Sequence, residues 1–189
     1  MKAKISAAIE QHIAAAGAMP ARADIIERMA AALIAVVDRG GKILVCGNGG
    51  SAADSQHIAA ELVGRFSKER RPVAAVSLTT DTSVLTSLSN DYGFDRVFER
   101  QVEALGSKGD ALIGISTSGA SPNVVNAMKK AGELGLLTIG LLGRDGGAIK
   151  RHCAHALIID GADTPRVQEM HILAAHILCS LIEDHIAQK

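Results

Sequence analysis

Residues 44–66 read LVCGNGGSAADSQHIAAELVGRF. A short apolar run breaks into a glycine-rich turn, GNGGS (47–51), and a segment of helical composition follows without a spacer. Strand, glycine turn and helix in immediate succession open a crossover unit, which predicts a parallel sheet. Glycines let backbone N–H groups approach an anion, and the positive end of the helix adds attraction. Two turns into the helix stand His57 and Glu61, four residues apart and so on one face. That pair suits two ligands to one metal ion, a base beside a hydrogen-bond partner, or a solvated surface.

The surrounding chain repeats the pattern. Short apolar runs at 42–46, 72–78, 110–116, 136–142 and 155–160 alternate with helix-like segments near 52–66, 94–104, 121–134 and 145–151. Nearly continuous apolar strands between helices are expected of a parallel sheet covered on both faces. Two helices, 2–16 and 21–38, precede the first strand, parted by Gly17 and Pro20. A long helix begins at Thr164-Pro165, a capping residue followed by a proline at the first helical position. The expected architecture is one doubly wound α/β domain over 1–189, with 41–189 as sheet core and C-terminal helix. The helices 2–16 and 21–38, together with 165–187, carry more apolar surface than one small sheet covers, so oligomerisation through the terminal helices is expected, 1–40 included.

In such a sheet, ligands bind where strand ends feed helix starts. The run 110–116 leads into STSGAS (116–121), where Ser116, Thr117, Ser118 and Ser121 offer four hydroxyls at the mouth of a helix. Hydroxyls and N–H groups bind a phosphate ester without a fixed cation, and two such loops in one sheet predict a phosphate-bearing ligand. Gly47, Gly49 and Ala52 also satisfy the G-x-G-x-x-G/A dinucleotide fingerprint. That alternative needs an acid at the end of the second strand, for which Asp81 stands late, and it leaves the serine loop without a role.

Composition narrows the classes. Twenty basic and twenty acidic residues give a formal net charge of zero, which argues against a nucleic-acid binder. Aromatics are 2% of the chain and Trp is absent, so base-stacking platforms are not expected. MKAKISAAIEQH lacks the apolar core of a signal peptide, and the run 29–37 is far short of the roughly 20 residues that span a bilayer. A cytoplasmic protein with no membrane association is expected, its three cysteines (Cys46, Cys153, Cys179) reduced and in the core. In the last helix Gln168, His171 and His176 interrupt an apolar sequence. Gln168 and His176 lie roughly 12 Å apart along the axis, so the two could only just share an ion. His171 is expected to satisfy a structural hydrogen bond.

The motifs CGNGGSAADSQHIAAEL, SNDYGF, GISTSGAS, GRDGG and RVQEMHILAAH together resemble the phosphoheptose isomerases of the sugar-isomerase (SIS) domain superfamily, over nearly the whole chain. The resemblance implies a flavodoxin-like, five-stranded parallel sheet in a homotetramer with active sites between subunits. It implies conversion of D-sedoheptulose 7-phosphate to D-glycero-D-manno-heptose 7-phosphate, the first step of bacterial ADP- or GDP-heptose biosynthesis. By the same resemblance Asn48, Gly49, Gly50, Glu61, Asn90, Asp91, Ser116, Thr117, Ser118, Ser121 and Gln168 would contact substrate. His57, Glu61, Gln168 and His176 would ligate one zinc ion per subunit, and Glu61 and His176 would be the acid–base pair. Aldose–ketose isomerisation needs a base at carbon, an acid at the carbonyl oxygen and stabilisation of the developing oxyanion. Either order of base and acid fits the sequence; Arg65, one turn beyond Glu61, is as fitted to a solvated surface as to the site. A non-catalytic SIS protein, a replication-initiator-associating paralogue or a sugar-phosphate sensor, is the alternative, though it would have no chemical need for all four ligands.

Overall fold

The computed structural model describes residues 1–161 and 163–188; Ala162 and Lys189 of the expected domain lie outside them. Five strands, β1 (Ile43–Gly47), β2 (Ala75–Ser77), β3 (Ala111–Ser116), β4 (Leu137–Gly143) and β5 (His155–Ile159), form one all-parallel sheet in the order β2-β1-β3-β4-β5. All five expected runs are strands, the second trimmed to three residues at the sheet edge.

Alternation along the strands divides two cores. Ile43 and Val45 face one layer with Ile113, Ile139 and Leu157, while Leu44 and Cys46 face the other with Leu112 and Leu142. The first layer is covered by helices α2 (Ala23–Asp38), α3 (Gly50–Val63) and the long α7 (Thr164–Ala187). The second is covered by α5 (Val97–Leu105) and α6 (Pro122–Glu133), with α4 (Thr82–Tyr92) packed on α5. The first helix, α1 (Lys2–Gly17), runs against α7 but has no buried residue, and Ile5, Ile9 and Ile13 stand more than half exposed along one side of it. By length and hydropathy α7 could cross a membrane, yet it packs here as a core helix.

Two sequence expectations are corrected. Residues 82–92 form a helix that apolar periodicity does not signal; Asp81 caps it, its carboxylate accepting from Val84 N–H at 2.9 Å. Residues 145–151 hold only a 3₁₀ turn, Lys150–His152, because Gly146 and Gly147 take positive φ and stop a helix from propagating. The cysteines are free as expected. Cys46 and Cys179 are buried and Cys153 half-buried, and burial pushes each thiol up to about 12.

α3 and α7 lie side by side and run the same way. Gln168 meets Gly50 at their N-terminal ends, and His176 meets His57 two turns on. Glu183 then meets the turn after α3. Its carboxylate, 1% exposed, accepts the N–H groups of Phe66 (2.7 Å), Ser67 (2.7 Å) and Lys68 (2.6 Å) and the Ser67 hydroxyl (2.9 Å), with Arg70 Nε at 3.5 Å. Burial works to raise this carboxyl, but the hydrogen bonds from Lys68, Ser67 and Phe66 outweigh it and hold it at about 2.

The folded carboxyl titrates below the unfolded value of 4.5, so its stabilisation is complete above that pH and is lost as pH falls toward 2. Its size is on the order of 3 kcal/mol. Glu183→Gln should unfold at lower urea at pH 7 and show a flatter loss of stability between pH 4.5 and 2; parental urea midpoints across that window would refute the clamp.

Candidate active site

Chain order and sheet order part company at β1: β2 lies on one side of it and β3 on the other. The crevice outside the strand ends at such a switch is where open α/β sheets bind ligands. Both expected anion loops open there, and a reciprocal amide pair ties them together. Asn48 Nδ2 donates to Asn123 Oδ1 (2.9 Å) and Asn123 Nδ2 to Asn48 Oδ1 (2.8 Å). Asn123, buried at the start of α6, is a site residue the sequence did not single out; its position just after Pro122 was the available signal.

In the first loop Gly49 takes φ +58° as the residue capping α3, a conformation strained for any L side chain. A Cβ on Gly50 would run into the Gln168 amide, so glycine there is what admits Gln168 from α7. In the second loop the Ser116 hydroxyl lies 3.0 Å from that of Ser121 and 3.3 Å from that of Ser118, which also accepts Ala120 N–H at 3.2 Å. Thr117 presses its carbonyl against Gly143 at the end of β4, and the Gly119 carbonyl accepts Ile149 N–H (2.9 Å). The hydroxyls therefore sit on a loop fixed from below, at the N-terminus of a twelve-residue helix.

A second polar cluster lies on the seam between α3 and α7. His57 Nε2 lies 2.9 Å from His176 Nε2 and 3.3 Å from Glu61 Oε1. The Phe66 ring, delivered by the turn that Glu183 holds, stacks at a tilt on His176 with centroids 5.5 Å apart. His57 is half exposed at its side chain and Glu61 mostly covered, so one side of the group is open. The structure thus brings His57, Glu61 and His176 together, and sets Gln168 nearer the anion loop, beside Gly50. Asn90 and Asp91 lie exposed at the end of α4, Asn90 Nδ2 donating to Asp91 Oδ1 at 2.8 Å. Arg65 is exposed and turns to Glu69 at 3.8 Å rather than to Glu61.

Two imidazoles and a carboxylate are the donor types of a catalytic zinc centre that keeps a position open. By chemistry the set fits such an ion. Among the described residues, however, no three His, Cys, Asp or Glu side chains stand arranged as a ready-made metal site. The close approach of the two Nε2 atoms is a hydrogen bond that needs a proton on one of them, and that proton would leave on metal binding.

His171 corrects another expectation. It is fully buried, one turn from Gln168 and facing the sheet, and neither ring nitrogen has a hydrogen bond meeting full geometry, the Leu142 carbonyl falling short. Burial pulls its pKa down to about 4, so the ring is neutral beneath the site.

A family model described as SIS domain matches residues 7–143. The chain is 57% identical over 162 residues to a phosphoheptose isomerase of Aliarcobacter butzleri, covering 86% of each protein. It is 64% identical over 143 residues to a phosphoheptose isomerase of Nitratiruptor sp., covering 76% of each. In three dimensions it superposes on the phosphoheptose isomerase of Neisseria gonorrhoeae with a TM-score of 0.91 at 44% identity, over 97% of this chain and 98% of that one.

The hydroxyl loop makes a direct prediction. Ser118 is half-buried and bonds only within its own loop, so Ser118→Ala should leave thermal stability near parental while weakening phosphate-ester binding about tenfold or more, the loss of one hydrogen bond to a charged group. Parental affinity in calorimetry would remove this loop from the anion site.

Proposed function

The chain belongs to the SIS-domain family and, within it, to the phosphoheptose isomerases, and we propose that it interconverts D-sedoheptulose 7-phosphate and D-glycero-D-manno-heptose 7-phosphate. The observation that carries this reading is the meeting of His57, Glu61 and His176 on the α3–α7 seam, in a fold whose β3 loop gathers the hydroxyls of Ser116, Ser118 and Ser121.

The phosphate is held at one end by Ser116, Thr117, Ser118 and Ser121 and by the backbone of Asn48, Gly49 and Gly50. Fixing that end brings C1 and C2 to the α3–α7 seam, which lowers the entropy cost of reaction. Glu61 removes a proton from C1 of the ketose while His176 gives one to the carbonyl oxygen at C2, forming an enediol. Glu61 then returns its proton to C2 as His176 takes the hydroxyl proton at C1, leaving the aldehyde. His57 lies against both groups and holds them in register. A zinc ion, one per subunit, would be held by His57, Glu61 and His176 with Gln168 as fourth ligand, and when bound would polarise the carbonyl and hydroxyl oxygens as a Lewis acid. Asn90 and Asp91 are proposed to complete the substrate contacts. Acting as the first step of ADP- or GDP-heptose biosynthesis, the protein would work in the cytoplasm.

A homotetramer with active sites between subunits is part of the proposal. The support is α1, whose Ile5, Ile9 and Ile13 form an exposed apolar stripe at helical spacing. Light scattering should give a tetramer, and replacing the three isoleucines with serine should lower the mass; an active parental monomer at micromolar concentration would overturn this.

The chemical test is at Glu61. Glu61→Gln keeps size and hydrogen bonding but cannot accept a proton, so isomerisation should fall roughly 10²–10⁴-fold while sugar phosphate still binds. Near-parental turnover would sink the mechanism and favour a non-catalytic SIS protein.

A further inference from the structure

Glu61 sits in the last turn of α3, where a helix runs out of its own hydrogen bonds. Gly64 N–H closes the helix on the Ala60 carbonyl at 2.9 Å, so the carbonyls that follow take their donors from elsewhere. Arg70 supplies them from one side chain. Its Nη2 donates to the Glu61 carbonyl (2.7 Å), and its Nη1 is shared among the carbonyls of Gly64 (2.7 Å), Leu62 (2.9 Å) and Arg71 (3.1 Å). The side chain is 2% exposed, and its Nε lies 3.5 Å from the buried Glu183 carboxylate. A cation placed there also suits the negative end of the helix. Helix ends left untied fray at almost no free-energy cost, and this one carries the carboxylate that meets His57. Arg65, nearer to Glu61 in sequence, is exposed and pairs with Glu69 instead.

We propose that Arg70 is a positioning residue for the isomerisation: by gripping the main chain of Glu61 it holds the Glu61 carboxylate against His57, in the place from which it removes the proton. The inference rests on the function proposed above, in which Glu61 is the base. The guanidinium acts through Glu61 and touches no substrate. Unwinding the last turn of α3 would carry the carboxylate away from His57 Nε2, now 3.3 Å from it. A misplacement on the order of 1 Å can slow a reaction about 100-fold. A guanidinium presents its donors in a rigid planar fork, so it fixes the direction of the carbonyls it holds. A lysine ammonium brings the same charge as a single point on a flexible stem.

The test is Arg70→Lys, which keeps the positive charge beside Glu183 and loses the fork. In the zinc-loaded protein, kcat per folded molecule, the folded fraction being read by circular dichroism, should fall roughly 10- to 100-fold. KM for sedoheptulose 7-phosphate and calorimetric affinity for inorganic phosphate should stay near parental, because the anion loops lie elsewhere. In a Glu61→Gln background the same substitution should lower turnover less than about twofold, since no base is left to aim. A role in stability alone would lower both backgrounds alike. The ring signals of His57 in NMR spectra should move in Arg70→Lys, as they do in Glu61→Gln, while those of His12 and His185 stay in place. Parental kcat, equal losses in the two backgrounds, or unmoved His57 signals each overturn the inference. Near-parental turnover of Glu61→Gln refutes the base assignment instead, and the His57 signals then decide by themselves whether Arg70 holds the carboxylate in place.

Discussion

The site depends on the parallel registration of α3 and α7. Each helix alone carries half of the polar constellation, and one turn of slip, about 5.4 Å, would take His176 out of reach of His57. Apolar packing between helices does not fix register to that tolerance, because neighbouring turns offer similar surfaces. The Glu183 carboxylate does. It accepts three consecutive N–H groups of the turn that follows α3, and such a bond set is satisfied in only one alignment. At the opposite end the fit of Gln168 against Gly50 sets the same alignment by shape. The histidine contact lies between two fixed points.

The sheet supplies the second half. With β1 and β3 adjacent but not consecutive, their following loops diverge and open a crevice, and the Asn48–Asn123 pair sets its width. On the mechanism proposed above, binding would fall to the hydroxyls and helix termini and proton transfer to the α3–α7 seam, while Arg65 pairs with Glu69 instead.

Much of this was legible because strands and loops announce themselves locally. Five apolar runs gave five strands, and GNGGS and STSGAS were marked by composition alone. What escaped was non-local or cancelling. The helix 82–92, TSVLTSLSNDY, spreads serine and threonine around all its faces, and its cap, Asp81, first read as a possible ribose ligand. Glu183 looks like a surface acid in LIEDH until the turn it holds, some 115 residues earlier, is placed beside it. His171 was expected to find a partner, and among the described residues neither of its ring nitrogens has one of full geometry. The eight-residue spacing of Gln168 and His176 shows in the structure as two separate contacts, Gln168 with Gly50 and His176 with His57.

The separation in sequence between α3 and α7 has a consequence for how the protein is made. α3 leaves the ribosome more than a hundred residues before the Glu183 that fixes its end, a wait of roughly 5–25 s at ordinary elongation rates. Throughout that interval Ile58, Leu62 and the β1 face have no α7 to cover them. A chain dominated by such distant contacts folds slowly, and here the growing polypeptide spends the wait with an apolar flank open to chaperones and to its neighbours on the same message.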